Sequence, residues 1–537
     1  MCSSGSGGAE SLAQPPRRVT VRPVLRILFA HGHLLRNDTK QYAIGKPYPP
    51  LATLTAAAYV RAQGHQVALF DPMLDADATS GFAVALERER PDVVVLYDDS
   101  FNWFTKMCLS RMRDAAFAMI RRARDAGVPV VVAGHDAADD PEAYLRAGAG
   151  HVVIGEGEIT LAELLAHQDA ERTGGPQKEA LLEIAGLAVL HKGFLRRTRP
   201  RKLLQDLDAL PIAAWDLVDI GRYRAFWRRR HGYFSLNVST TRGCPYLCNW
   251  CAKPVYGNTY HSRSPGHVLE ELRLLRARYA PDHLWFCDDI LGLKSRWLVA
   301  WADAVAAEGM PTPFLCQTRA DLITEENVAA LRRAGAREVW LGAESGSQRI
   351  LDAMQKGITV DQTRAAVRRL RESGVRVGLF LQFGYDGEEW SEVQETRSLV
   401  RELLPDDIGV SVSYPLPGTR YHEKMAAALG EKRNWSESND LDPLVPGRFS
   451  AAFYRTLSRV VHAELRVVRG ARELDALLRA PRPYRSGSMK RAAEVRHGGQ
   501  WLVNRVRLEV ERRGGLAKLE GLASIVKLAG LVGGRAQ

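Results

Sequence analysis

The chain has 537 residues, of which 46% are hydrophobic and 25% charged, and its net charge is +12. This length is typical of about three domains, each large enough to have its own core. Seven cysteines are too few for a disulfide scaffold, and no apolar run is long enough to cross a bilayer. We therefore predict a cytoplasmic protein and exclude the disulfide-rich secreted and membrane-spanning classes.

The first predicted domain is a parallel sheet that follows a tail. Residues 1–22 are rich in Ser, Gly and Pro, which predicts a disordered tail and not a signal peptide. From residue 23 to about 170, short β-branched runs alternate with amphipathic segments, as in sheets that are buried on both faces. This pattern predicts an α/β domain with a doubly wound, Rossmann-like sheet and a ligand site at the carboxyl ends of its strands. The predicted strands are Val24–Ala30, Gln66–Phe70, Asp92–Leu96, Val128–Ala133 and His151–Ile154.

Two motifs in this domain resemble those of a known family. The segment Pro47-Tyr48-Pro49-Pro50-Leu51 and the loop Gly155-Glu156-Gly157-Glu158 are similar to the opening and closing segments of the cobalamin (B12)-binding domain that is fused to many radical S-adenosylmethionine (SAM) enzymes. Small residues in such a loop let the backbone come close to a bulky ligand. The residues that the resemblance assigns to cobalamin binding are Pro49, Gly134, Gly155, Glu156, Gly157 and Glu158.

The domain departs from this family pattern in two places. A DxHxxG segment, which supplies the histidine below the cobalt in other cobalamin proteins, is missing, as it commonly is in the radical SAM branch. The usual Gly-Gly-Pro-His/Thr loop is replaced by Ala133-Gly134-His135-Asp136. His31, His33 and His135 follow predicted strands, and for each we favour a hydrogen-bonding role at the surface or in a loop over a role as cobalt ligand. The group below the cobalt is left open.

Residues 171–232 are predicted to form a linker, with a break at Gly174-Gly175-Pro176. Within it, the stretch from Arg222 to Arg230 is basic with interleaved aromatic residues, a composition that also suits nucleic acid. We favour a solvated helix that precedes the next domain and packs its aromatic side chains inward.

A loop with three cysteines follows the linker. Cys244, Cys248 and Cys251 have the spacing CxxxCxxC, which provides thiolates for three irons of a [4Fe-4S] cluster and leaves the fourth iron open to a substrate. A zinc loop is the alternative, but zinc normally takes four protein ligands and no second pair stands nearby. The spacing resembles the signature of radical SAM enzymes, whose open iron binds the amino and carboxylate groups of SAM. The three cysteines are therefore the predicted metal ligands and catalytic residues.

The cysteine loop belongs to a second α/β domain, predicted over residues 233–450. Six strands with helices between them predict a partial (β/α)6 barrel of the TIM type, with its chemistry at the strand carboxyl ends. The predicted strands are Ser235–Thr240, His283–Cys287, Pro313–Gln317, Glu338–Gly342, Val375–Gln382 and Ile408–Tyr414. The polar residues that follow the second, third and fourth strands are Asp288, Asp289, Arg319 and Glu344.

The resemblance to radical SAM enzymes implies that these polar residues surround SAM. Asp288 and Asp289 would meet its ammonium group, and Glu344 would reach its ribose or amino group. Arg319 would pair with a carboxylate, a task that suits the planar guanidinium. Trp250 would pack on the adenine side. For Asp288, a cap on the next helix is the alternative role.

Residues 451–537 are predicted to be a helical, basic C-terminal region, since they hold 18 Lys and Arg against 7 Asp and Glu. From Trp501 to Val532, leucines and valines recur at helical spacing among basic residues. Such a stretch suits peripheral contact with an anionic membrane surface near a lipid substrate. We favour the alternative, in which one face packs on the barrel and the other is solvated.

The combined resemblance implies a cobalamin-dependent radical SAM methyltransferase. One SAM would methylate reduced cobalamin, and a second SAM would be cleaved at the cluster to give a 5'-deoxyadenosyl radical. That radical would take a hydrogen atom from an unactivated carbon of a biosynthetic intermediate, which would then collect the methyl group from methylcobalamin. The cofactors carry the difficult chemistry, while the protein aligns them with the substrate.

Two alternative functions stay open. A cobalamin-dependent radical SAM cyclase or rearrangement enzyme would use the same cofactors without methyl transfer. An RNA-binding modification protein is suggested by the basic C-terminal region and by Arg228 to Arg230, although the sequence has no recognisable RNA-binding fold. For the favoured function we expect a small-molecule or lipid-like substrate, a reductant such as flavodoxin or ferredoxin, and no nucleic acid.

Overall fold

The fold is described from a computed structural model. The structure describes residues 25–101, 107, 109–172, 178–253, 255–430, 434–439 and 441–479, together with residues 504, 505, 508 and 512. Three predictions fall outside these residues: the disordered tail 1–22, the break at 174–176, and most of the amphipathic stretch 501–532.

A seven-stranded sheet forms the N-terminal part of the chain, in the order β2-β1-β3-β4-β5-β6-β7. The first five strands are parallel. One hydrophobic core lies on each face of the sheet, which explains why the strands are apolar on both sides. The strands are β1 (Arg26–Ala30), β2 (Gln66–Phe70), β3 (Val93–Tyr97), β4 (Val130–Ala133), β5 (His151–Val153), β6 (Leu187–His191) and β7 (Phe194–Arg197). The helices are α1 (Thr39–Ile44), α2 (Leu51–Ala62), α3 (Ala78–Glu89), α4 (Ser110–Asp125), α5 (His135–Asp139), α6 (Pro141–Ala147) and α7 (Gly157–Arg172).

The hairpin of β6 and β7 differs from the prediction, because it extends the sheet into residues that were assigned to the linker. Both strands pair antiparallel at the sheet edge. Lys192 and Gly193 have φ values of 52° and 83°, as a two-residue hairpin turn requires. The strand β7 (FLRR) is mostly exposed, so it lacks the apolar alternation by which a half-buried strand is recognised.

The remainder of the linker contains the predicted helix, α8 (Ile220–His231). Tyr223 and Trp227 are buried, while Arg222 forms an exposed ion pair with Asp75. The prediction of a helix that packs its aromatics inward is confirmed for these two side chains.

The second domain is a six-stranded parallel sheet in the order β15-β14-β13-β12-β11-β8. This arrangement, with helices between the strands, confirms the predicted partial (β/α)6 barrel. The strands are β8 (Ser235–Val238), β11 (His283–Phe286), β12 (Phe314–Thr318), β13 (Ala336–Glu344), β14 (Arg376–Phe383) and β15 (Asp407–Val412), with a small antiparallel pair β9 (Thr241–Arg242) and β10 (His261–Ser262). The helices are α9 (Pro265–Tyr279), α10 (Ser295–Ala307), α11 (Glu325–Ala334), α12 (Gln348–Ala353), α13 (Val360–Glu372), α14 (Trp390–Leu403) and α15 (Arg420–Met425). Short 3-10 helices lie at Leu35–Asn37, Lys178–Glu183, Leu207–Ala209, Trp215–Leu217, Ala320–Leu322 and Ala426–Ala428.

A long helix, α16 (Ala451–Arg479), follows the barrel. Phe453, Leu457 and Val461 on this helix are buried in the barrel core, and so is Leu508. The described part of the C-terminal region therefore packs on the barrel. Among the described residues, no helix has the length and apolar character that crossing a membrane would need.

The two sheets are joined through the segment that opens the cobalamin-domain motif. The indole of Trp227 donates to the carbonyl oxygen of Pro47 at 2.7 Å. The amide of Asn237, in the first barrel strand, donates to the carbonyl oxygen of Pro49 at 3.0 Å. Thus Pro49 contacts the barrel, and the N-terminal domain is anchored to strand β8 just before the cysteine loop.

Candidate active site

The cysteine loop connects β9 to β10 at the mouth of the barrel. Gly243 opens it with φ +79°, and a Cβ there would collide with the carbonyl oxygen of Thr259, because the loop folds back on itself. Burial raises the pKa of the Cys244 thiol. In a [4Fe-4S] cluster each thiolate binds a different iron, and the described residues contain no three His, Cys, Asp or Glu side chains arranged around a single metal ion. The three cysteines of the loop, all half-buried and not in disulfide bonds, are Cys244, Cys248 and Cys251.

Arg319 lies beside the cysteine loop. Its guanidinium is 3.8 Å from the Cys248 sulfur and 3.5 Å from the ring centre of Tyr246. Two of its nitrogens donate to the carboxylate of Asp321 at 2.9 Å and 3.2 Å. The carboxylate partner of Arg319 in the structure is thus Asp321 of the chain itself, and the third nitrogen brings a buried positive charge to a cluster cysteine.

Glu344 forms a buried ion pair with Lys356, with 2.7 Å between the oxygen and the nitrogen. Glu344 also has φ +57°, a left-handed conformation that costs a non-glycine residue about 1 kcal/mol or more. Burial opposes the charge of Lys356, but Glu344 and Cys248 together raise its pKa above the ordinary value. The sequence analysis did not identify Lys356, because nothing in a local pattern indicates that a lysine is buried against a strand-end carboxylate.

Trp250 is half-buried and packs against the apolar cluster that contains Ile350, Met354 and Tyr385. Its ring centre is 6.0 Å from the Lys356 ammonium. Its indole nitrogen is buried and has no hydrogen-bond acceptor among the described residues. Since buried donors are nearly always satisfied in folded proteins, a bound group with an acceptor atom fits beside Trp250.

Asp288 is hydrogen-bonded to the start of the cysteine loop. Its carboxylate is fully buried and accepts hydrogen bonds from the backbone and hydroxyl groups of Thr240 and Thr241, at 2.5 to 3.0 Å. It caps no helix, because the residue before α10 is Lys294. These hydrogen bonds fix the start of the cysteine loop. Within the described part of the chain, Oδ2 accepts only from the Thr240 hydroxyl group, and the contact of Asp288 with the ammonium group of SAM stays a prediction. Asp289 is half-buried and close enough to Cys244 for its charge to raise the pKa of that thiol.

The loop after β5 contacts the segment that opens the cysteine loop. Glu156 and Glu158 are buried and accept from different nitrogens of Arg242, at 3.1 Å and 2.6 Å. Arg242 is two residues before Cys244 and is itself 4% exposed. The two carboxylates therefore bind the base of the cysteine loop through Arg242, and their contact with cobalamin stays a prediction.

The glycines at the strand ends of the N-terminal sheet are tightly packed. A Cβ at Gly157 would lie 2.6 Å from the hydroxyl of Tyr97, and one at Gly134 would lie 2.8 Å from Asp98. Gly155 has φ +83°. At Gly134 and Gly157 there is no space for a side chain, whereas Gly155 has a backbone conformation that favours glycine.

Buried hydrogen-bonding groups lie at the carboxyl ends of β1, β3 and β4. His31 is fully buried and lies 3.0 Å from Asp71; His33 and His135 are also buried. His31 and His33 lie in the loop after β1, as expected, and His31 is hydrogen-bonded there, whereas His135 begins α5. None of the three is at the surface. Burial raises the pKa of Asp98 and of Asp99 to about 6. A polar, glycine-containing edge of this kind fits a large ligand with many hydrogen-bonding groups.

Comparisons with known proteins agree with this architecture. Residues 43–165 match the B12 binding domain, and residues 238–400 match the radical SAM superfamily. The chain is 30% identical over 408 residues to an uncharacterized methyltransferase of Pyrococcus horikoshii, a match that covers 75% of this chain and 84% of that protein. It is 26% identical to the anaerobic magnesium-protoporphyrin IX monomethyl ester cyclase of Synechocystis over 42% of this chain and 43% of that protein.

Among solved structures, the fold resembles that of the radical SAM methyltransferase TsrM from Kitasatospora setae, determined with cobalamin and a [4Fe-4S] cluster bound. The TM-score is 0.61 at 19% identity, with 75% of this chain and 78% of that chain covered. The chain belongs to the family of radical SAM enzymes that carry a B12-binding domain. The predicted family, fold class and enzyme class are confirmed, as is the set of cofactors: a [4Fe-4S] cluster, SAM and cobalamin.

Proposed function

We propose that this enzyme is a methyltransferase that uses SAM and cobalamin to add a methyl group to an unactivated carbon of a small-molecule or lipid-like biosynthetic intermediate. The similarity to a methyltransferase over most of both chains supports methyl transfer. The match to the cyclase covers less than half of either chain.

One observation carries the proposal: the buried contact of Arg242 with Glu156 and Glu158. It places the loop after β5 of the B12-binding domain against the base of the cysteine loop. Methyl transfer to a substrate radical requires the cluster with SAM and the cobalamin to face the same substrate. A misplacement of the reacting groups by about 1 Å is enough to slow such a reaction strongly.

We assign cluster ligation to the three cysteines of the loop. We assign the SAM side to Trp250, Asp289, Arg319 and the Glu344–Lys356 pair, and the cobalamin side to the edge that includes Pro49, Gly134 and Gly155. When bound, the cluster and SAM supply a carbon radical and cobalamin supplies the methyl group. The chain's own residues hold these groups in line, exclude water, and keep two cations, Arg319 and Lys356, beside Cys248.

The proposal includes a low-potential electron donor such as flavodoxin or ferredoxin, because the cluster must be reduced in each cycle. We further propose that residues 23–170, together with the hairpin 187–197, bind cobalamin. Residues 233–450 bind the cluster and SAM. We place the enzyme in the cytoplasm, with residues 451–479 packed on the barrel and not on a membrane.

The test is an anaerobic incubation of the reconstituted enzyme with cobalamin, a chemical reductant, SAM that carries 13C in its methyl group, and a small-molecule extract of the source cells. Mass spectrometry should find 5'-deoxyadenosine together with a new extract component that carries the 13C label. If 5'-deoxyadenosine forms and a product appears without label, the enzyme is the cyclase or rearrangement type and the methyltransferase proposal is wrong.

A further inference from the structure

Arg242 is the centre of a buried contact between the two domains, and its chemistry is unusual for an interface. The three charged side chains involved are between 4% and 7% exposed. Burial costs both partners of an ion pair their hydration, so such a pair is weak evidence for stability, and a role in fixing the geometry of the interface is its best-attested use. Since each carboxylate takes a different nitrogen of the planar guanidinium, the direction of the contact is fixed as well.

The barrel end of this contact is rigidly tied to the cysteine loop. Arg242 lies in β9, where it is paired with His261 of β10. The next residue, Gly243, has no room for a Cβ, and Cys244 follows directly. The preceding residue, Thr241, is held by Asp288. No flexible segment separates Arg242 from Cys244, so a shift of Arg242 is expected to move the first cysteine as well.

The other end is tied just as closely to the edge of the B12-binding domain. Glu156 and Glu158 flank Gly157, where an added Cβ would lie 2.6 Å from the Tyr97 hydroxyl group. Glu156 also accepts a hydrogen bond from the backbone of Leu204. The loop thus has one tightly packed arrangement in which both carboxylates reach Arg242.

A second set of contacts runs parallel to the first. The hydroxyl groups of Tyr256, in the cysteine-loop segment, and Ser100, after β3, are 2.6 Å apart. The ring of Tyr256 lies 5.1 Å from the Arg242 guanidinium, and that of Phe101 lies 5.8 Å from it. Both sides of the interface therefore enclose Arg242.

We propose that Arg242 is a positioning residue that couples the two cofactor sites, so that assembly of the cluster strengthens cobalamin binding and cobalamin binding orders the cysteine loop. The inference rests on the cofactor pair of the proposed function. By linkage, the factor by which one group changes the affinity for the other is the same in both directions, and such coupling typically amounts to 5- to 150-fold. The coupling would arise because the loop after β5 and the cysteine loop each keep the shape that binds a cofactor only while Glu156 and Glu158 hold the Arg242 guanidinium.

The experiment measures the affinity of the full chain for aquacobalamin by anaerobic absorbance titration, once with the cluster reconstituted and once after the cluster has been removed by chelation. For the wild-type protein we expect about tenfold tighter binding with the cluster. For Glu158→Gln, which keeps the shape of the side chain and removes its charge, we expect the ratio to fall below about twofold while both cofactors still bind.

Glu464→Gln is the matched control. Glu464 is a buried carboxylate that pairs with Arg397 and Arg401 on the far side of the barrel, between α14 and α16, and its variant should keep the wild-type ratio. If Glu158→Gln fails to fold by circular dichroism, Arg242→Lys replaces it, with the same fall in the ratio expected.

A wild-type ratio near one, or an unchanged ratio in the folded variant, overturns the coupling and leaves the methyltransferase proposal standing. If the ratio of cobalamin affinities with and without the cluster also falls in Glu464→Gln, the assignment to Arg242 is overturned, because removal of any buried charge would then weaken the coupling. A wild-type protein that binds neither cofactor overturns the proposed function together with the coupling. The 13C label in the product is measured in a separate experiment, which tests methyl transfer and not the coupling.

Discussion

Each sheet has buried glutamates near its strand ends that pair with a cation, but the two sets of pairs connect different parts of the chain. In the barrel, Glu344 pairs with Lys356, twelve residues further along the same domain. In the N-terminal sheet, Glu156 and Glu158 pair with Arg242, more than eighty residues away in the other domain. The Glu344–Lys356 pair therefore lies within one domain, whereas Glu156 and Glu158 connect the two domains.

Replacement of a cluster cysteine is expected to have the largest effect on the barrel side. Cys248→Ala removes one of three thiolates, so the reconstituted protein should lose its brown chromophore and most of its iron and sulfide, and it should release no 5'-deoxyadenosine from SAM. Iron and sulfide analysis and chromatography measure these quantities. Cys316→Ala is the control, since that thiol is buried in the core away from the loop, and it should keep wild-type iron. Wild-type iron content in Cys248→Ala would contradict the assignment.

Replacement of Lys356 tests whether Glu344 depends on this lysine to remain buried as a charged group. Lys356→Met leaves the Glu344 carboxylate buried without its partner, which should cost about 3–5 kcal/mol of unfolding free energy. The double variant Lys356→Met/Glu344→Gln should recover most of this loss. The exposed pair Arg364–Glu402 provides the control, because Arg364→Met should cost less than about 1 kcal/mol. Denaturant unfolding measures all of these, and equal losses in Lys356→Met and Arg364→Met would refute the buried-pair account.

Packing at the N-terminal edge is tested by a single methyl group. In Gly157→Ala the new Cβ meets the Tyr97 hydroxyl group, so the loop should shift, with a cost of about 1–3 kcal/mol and weaker binding of cobalamin. Tyr97→Phe in the same chain removes the contacting oxygen and should restore part of the loss. Gly150→Ala, where a Cβ has only an ordinary contact with the carbonyl of Val130 at 3.5 Å, should bind cobalamin like the wild type. Equal affinity in all three variants would count against a loop held by close packing.

The smallest expected effect is a pH dependence that belongs to the N-terminal edge. Burial raises the pKa of Asp98 to about 6 from an ordinary value of 3.8. A carboxyl group whose pKa is raised by folding contributes stability that is complete below the unfolded pKa and is lost as the pH rises through the folded pKa. Between pH 5 and pH 7 the wild type should therefore lose about 1 kcal/mol relative to Asp98→Asn. Parallel curves of unfolding free energy against pH for the two proteins would exclude this role.

The fold was largely predictable because its evidence is local. Apolar runs such as Val128–Ala133 and Val375–Gln382 became strands whose ends shifted by at most two residues. The hairpin 187–197 was missed because β7 lies exposed at an edge, where no burial imposes a pattern on its side chains. The turn at Lys192-Gly193 was the one local signal that could have indicated it.

The candidate site was predictable only in its position. The spacing of the three cysteines is a local pattern, so the sequence located the loop, and the rule that sites lie at strand carboxyl ends located the polar residues around it. The partners of those residues were not predictable, because Asp288 meets Thr240 and Thr241, and Glu158 meets Arg242, only through tertiary contacts across 47 or more residues. Arg242 and Lys356 were not predicted as site residues, because their burial against carboxylates is a property of the folded chain.

The central claim is that the two cofactor edges face each other across Arg242, and electron paramagnetic resonance tests it most directly. The wild-type protein is prepared with its cluster reduced and its cobalamin in the paramagnetic Co(II) state, and its spectrum is compared with those of samples in which only one of the two is paramagnetic. The account predicts magnetic interaction, seen as broadening or splitting that neither single spectrum contains. A spectrum equal to the sum of the two single spectra would contradict it.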